Sequence, residues 1–192
     1  MDPDHNWTMY YSNWAALGTG CRMAIAVYAD RQDFFDLAVS DFKTLLDVSY
    51  VASGRYMETC RGDSNGLDYL GGGDMVHTQM AFAGMVRAAE VAKKQGVDLY
   101  NYVVPGKNYS FLTALNYHAP FIGYPNRPSS DNTNWPCQAP LEDSRPLPFS
   151  MSWEMVNNHY NSDKIRSVVL ELDRPESAQR MFYGTLTHNY NQ

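Results

Sequence analysis

The sequence predicts an all-α fold made of antiparallel helical hairpins joined by long loops. Apolar residues recur at three- and four-residue steps in several separate stretches. Capping and stop residues bound those stretches. The one strand-like segment, Phe182, Tyr183, Thr185 and Leu186, has no clear pairing partner. At 192 residues, 44% apolar and 19% charged, the chain is large enough to bury a core as a single domain, 1–192.

The elements follow in order. From Ser12, a plausible N-cap, Trp14, Leu17, Cys21, Ile25 and Tyr28 mark one helix face, broken by "ADRQD". Asp33 caps a second run with Phe34, Leu37, Ala38, Phe42 and Leu45 on one side, completing a hairpin. Residues 48–73 lack a period and end in the glycine-rich "GDSNGLDYLGGG", a loop. A third helix runs from the cap Asp74 to Lys93 and Lys94, with Gly96 as its stop. A fourth spans about 107–118 and ends before Pro120. Residues 120–149 are proline-rich loop; helices through "SWEMVNNHY" and over 163–172 follow.

Charge and composition exclude several function classes. A net charge of −6 leaves no basic surplus for nucleic acid. No apolar run approaches the ~20 residues of a membrane span, and "MDPDHNWTMYYSNW" lacks the basic and apolar regions of a secretion signal. Cys21 falls on the predicted core face of the first helix, as a buried thiol. Cys60 and Cys137 lie in loop-like stretches and are able to pair in an oxidising compartment, which spacing alone does not decide. Neither CxxC nor HExxH occurs, so no metal or other cofactor is expected. Asn6-Trp7-Thr8 and Asn108-Tyr109-Ser110 match the glycosylation sequon, a weak pointer to secretion.

Three polar residues stand on helix faces that large side chains avoid. His77 lies above Ala81, Gly84 and Ala88; Asn13 above Ala16, Gly20 and Ala24; Tyr117 shares a face with Ser110, Thr113 and Ala114. Such faces admit a ligand to the backbone, and they equally mark close packing of two helices.

The series "ETCR", "DMVHTQ", "AAEVAKKQGVDLY", "LNYHA", "SWEMVNNHY" and "YGTLTH", preceded by "SNW" and "AIAVYADRQDFFDLAV", resembles in the same order the alginate lyase-like family of polysaccharide lyases. The resemblance runs from about Asn13 to the last residues. It implies an α/α toroid with a cleft for acidic polysaccharide. Family members are generally longer, so it further implies an incomplete toroid lacking N-terminal hairpins, and a secreted or periplasmic full-length parent. In the family the motif arginine is directly followed by aspartate; here "GDSNGLDYLGGG" separates Arg61 from Asp74.

By that resemblance the reaction is a cofactor-free β-elimination on a uronate polymer of alginate or glucuronan type. Tyr117 is implied as base, acid or both, with His77 as its partner or as the alternative base. Asn13, Arg61 and Glu58 are implied to neutralise the uronate carboxylate. A tyrosine needs a nearby cation to act as a base at neutral pH. The family leads one to expect an arginine shortly before it, where "KNYSFLTALNY" offers only Lys107. Asn158, His159, Trp14 and Lys107 are expected to line substrate subsites. The expected partner is acidic polysaccharide, with neither nucleic acid nor membrane. Two alternatives stand beside this reading: an inactive or truncated toroid that only binds polysaccharide, and a glycoside hydrolase using Glu58 and Asp74.

Overall fold

Ser12 has extended backbone (φ −87°, ψ 162°), and the chain then enters helix α1, Asn13–Tyr28. After a short turn at residues 29–31, α2 runs over Gln32–Val48. An Arg22–Asp41 ion pair joins the two helices of this antiparallel hairpin. Asp33 does not cap α2: it lies inside the first turn and accepts from Arg31 Nε and Nη2, at 2.8 and 2.6 Å. The structure, a computed structural model, describes residues 12–60, 75–127, 129–137, 141 and 150–171. Arg61, Asp74, the glycine-rich insert and the strand-like tail fall outside these residues.

The buried face of α1 is the opposite of the one its large side chains suggest. Asn13, Ala16, Thr19, Gly20, Met23 and Ala26 are buried. Trp14 is 67% exposed, Ile25 65% and Tyr28 93%, and Cys21 is exposed rather than a core thiol. On α2, Phe34 and Leu37 likewise face outward, while Phe35, Ala38, Phe42, Leu45 and Leu46 form the core side. A shallow hollow lies between the two outer faces, lined by Cys21, Ile25 and Phe34.

Helix α3, Met75–Lys94, explains this choice of face. A Cβ on Gly84 would fall 2.5 Å from Ala16 O, and one on Gly20 would fall 2.7 Å from Gly84 O. Backbone therefore meets backbone, and the two small-residue stripes are each other's packing surface. Asn13 meets Met80, Ala16 meets Gly84, and Gly20 reaches Arg87. The contacts advance in the same sense along both helices, so α1 and α3 run parallel, with antiparallel α2 leading from one towards the other.

The fourth helix, α4, begins later than its predicted start at Lys107. It spans Phe111–His118, with Ser110 as N-cap and a capping box to Thr113. Residues 107–110 are instead tied into a turn by a bridge between Val103 and Ser110. Ala119–Phe121 continues α4 as a 3-10 turn, and α5 (Ser150–Asn157) and α6 (Asp163–Glu171) complete the described elements. Buried Phe82 on α3 is the aromatic centre of the core. Phe111, His118 and Trp153 meet it edge-on at 6.0, 5.1 and 6.1 Å, so α3, α4 and α5 share one interior. Buried Arg127 donates to the Ile122 and Ala119 carbonyls and to Ser167, fixing the loop after α4 against α6. Among the described residues the fold is all-α, as the periodicity predicts.

Candidate active site

A second 3-10 turn, Met57–Cys60, collects residues from three helices. A bridge between Tyr50 and Tyr56 closes the preceding turn and presents these four residues to the helix ends. Glu58 Oε2 accepts the Asn13 backbone N–H at 2.6 Å and the Tyr56 hydroxyl at 3.1 Å. Ser12 makes no side-chain cap, so the Glu58 carboxylate satisfies a donor at the exposed end of the α1 peptide dipoles. Asn13 Nδ2 touches only the soft acceptor Met80 Sδ, at 3.7 Å, and its Oδ1 has no partner although the residue is 0% exposed. An unpaired buried amide oxygen costs about 1–3 kcal/mol.

Thr59 binds the same turn to α3 and α4. Its hydroxyl lies 3.1 Å from Thr78 Oγ1 and 2.9 Å from His118 Nε2. His118 Nδ1 is 2.8 Å from the Ala114 carbonyl, which only accepts, so the proton sits on Nδ1. Nε2 is then the acceptor for Thr59 and for the Tyr56 N–H at 3.4 Å. Complete burial lowers the His118 pKa to about 4, so the ring is a neutral structural link. Sequence reasoning missed it; the adjacent "YH" in "LNYHA" is its only sequence signal.

Tyr117 precedes His118 and is half-buried, its ring edge-on to His118 and Phe121 at 5.0 and 6.1 Å. Phe121 packs in turn on Trp135. Burial raises the Tyr117 pKa, and the charge of Arg55 opposes that rise. His77 is half-buried in the first turn of α3, next to Thr78 and one turn before Met80. Asn13, Glu58, His77 and Tyr117 are thus each in contact with this 3-10 turn or adjacent in sequence to a residue that is. A disulfide between Cys60 and Cys137 ties the turn to the loop carrying Trp135, which decides the pairing that spacing left open.

The expected subsite residues lie elsewhere. Trp14 faces outward from α1. Lys107 is occupied by Asp47, donating to its carbonyl and to Oδ1, both at 2.7 Å. His159 stacks on Tyr100 at 4.0 Å, donates from Nε2 to Glu90 at 2.5 Å, and accepts from Lys93 at Nδ1 at 2.7 Å. Glu90 is thirteen residues beyond His77 on α3, about 20 Å along the helix, so His159 stands at the far end of α3. Asn158 is exposed beside it.

A family model described as alginate lyase matches residues 2–127. The chain belongs to the alginate lyase family. Polysaccharide lyase chemistry is what that membership supports in general. The match takes in Asn13, Glu58, His77 and Tyr117, while Asn158 and His159 lie beyond it. No curated protein and no solved structure matches the chain. Among the described residues no group of three or more His, Cys, Asp and Glu is arranged to hold a metal ion. None of the described helices is long and apolar enough to cross a membrane.

Proposed function

We propose that this alginate lyase family member cleaves a uronate polymer of alginate or glucuronan type by cofactor-free β-elimination. The observation that supports the reading is the convergence of α1, α3 and α4 on the Met57–Cys60 turn through Asn13, Thr78 and His118, with His77 and Tyr117 next in sequence to the last two. A uronate C5–H is weakly acidic while its carboxylate is charged. The site must therefore bind that carboxylate through donors before the proton leaves. The Asn13 amide, whose N–H₂ meets only the Met80 thioether, suits that task once substrate opens the junction, with Glu58 beside it.

Tyr117 as phenolate takes the C5 proton, and the electron pair left on C5 forms the C4–C5 double bond as the C4–O4 bond breaks. The departing O4 takes a proton from Tyr117 or His77, leaving an unsaturated sugar and a new chain end. Parallel, directly packed α1 and α3, connected through antiparallel α2, suit a toroid in which parallel inner helices line the cleft and further hairpins continue the ring. The Cys60–Cys137 disulfide favours action outside the cytoplasm.

Asn13 is completely buried, so under either an elimination or a binding-only reading its amide meets polymer only once the junction opens. Incubation with a panel of polyuronates separates the readings. Growth of near-ultraviolet absorbance from an alkene conjugated to the carboxylate supports elimination. New reducing ends without that absorbance indicate hydrolysis, and retention on immobilised polymer without product indicates binding alone.

A further inference from the structure

The proposed base lacks the arginine expected shortly before it, and Lys107 is held by Asp47. A different cation reaches the same end of α4 from the turn that precedes Met57–Cys60. Gly54 is buried with φ +92°, and a Cβ there would come 2.7 Å from Thr113 O and 3.2 Å from Ala114 Cα. This turn therefore lies flat on the α4 backbone one helical turn before Tyr117. Two residues on, the Tyr56 N–H faces His118 Nε2 at 3.4 Å. Arg55 is the residue between these two anchors, so its Cα is fixed alongside the last turn of α4. Its Nη1 donates to Cys60 Sγ at 2.9 Å, and that sulfur is bonded to Cys137.

We propose that Arg55 is the positioning cation for Tyr117, its guanidinium held by the disulfide sulfur so that its charge favours the phenolate. Its consequence for turnover rests on the lyase reading; its effect on the phenol does not. Arg55 is the charged residue whose field opposes the effect of burial on Tyr117. The other titratable groups on elements packed around α4 are arranged differently. His118 is neutral, Glu58 and Tyr56 bond to each other at the 3-10 turn, and His77 is on α3. Asp163, Lys164 and Arg166 belong to α6, which meets the Asn116 side through Ser162 at 2.5 Å. An arginine suits the role because it stays protonated at any pH at which the phenol titrates.

The test is a pH titration of tyrosine absorbance in the disulfide-bonded protein, with Tyr117 assigned by difference against Tyr117→Phe. In Arg55→Gln the Tyr117 transition should move upward by on the order of one pH unit, whereas Arg55→Lys, whose amine loses its charge in the same pH range, should restore only part of it. A Tyr117 transition unchanged in Arg55→Gln overturns the proposal. Because the readout needs no turnover, the two claims separate. A shift in a protein inert towards every polyuronate sustains Arg55 and sinks the lyase reading. Turnover with an unmoved transition does the reverse.

Discussion

Single residues around the Met57–Cys60 turn fix the local structure, and His118 shows how. Its ring is sealed between Ala114 and Thr59 and edge-on to Phe82, so protonation would strand a charge in the core. The folded pKa of about 4 lies below the unfolded value of 6.5. The unfolded chain therefore takes up a proton first as the pH falls. The stability from the neutral ring is complete above about pH 6.5 and is lost as the pH drops to about 4, ~3 kcal/mol in all. Urea midpoints across that window should fall in the parent protein and flatten in His118→Asn; an equal slope in both would contradict the assignment. His118 and Arg55 were not legible in the sequence, because each acts through contacts some sixty positions away, with Thr59 and with α4. Asn13, Glu58, His77 and Tyr117 are proposed as site residues on the family resemblance. Periodicity placed three of them only on small-residue faces.

At the level of elements, the helices themselves were readable, while the orientation of α1 was not. Its sequence offers two faces: one bulky, through Trp14, Ile25 and Tyr28, and one small, through Ala16 and Gly20. Hydrophobic size favours the first. Close approach favours the second, since α3 brings its own small stripe and the paired backbones exclude side chains between them. Two glycine substitutions in this pair of helices should therefore have opposite signs. Gly84→Ala places a methyl against the Ala16 carbonyl and should cost at least ~3 kcal/mol. Gly18→Ala meets nothing within 4 Å and should stabilise α1 by roughly 0.5–1 kcal/mol. Chemical denaturation of the two variants checks both signs, and equal effects would mean that α1 and α3 are not packed through this face. The start of α4 was misjudged for a local reason: Ser110 offers a capping box with Thr113 that Lys107 cannot match.

For the molecule as a whole, the described helices bury one continuous interior yet leave Trp14, Ile25, Tyr28, Phe34 and Leu37 facing outward. That apolar strip adds little to the stability of the isolated chain. Ile25→Ser and Tyr28→Ser together should change the unfolding free energy by no more than about 0.5 kcal/mol. A loss of several kcal/mol in a monomeric sample would show that the strip is covered. The functional account rests on the opposite side of α1, where its first residue, the Met57–Cys60 turn and the ends of α3 and α4 meet. Its most direct test is the rate of conjugated-alkene formation by the parent protein and by Tyr117→Phe on the same polyuronate. The account predicts chromophore from the parent and a rate at least about a thousandfold lower in Tyr117→Phe, with polymer binding retained. An undiminished rate in Tyr117→Phe would contradict it.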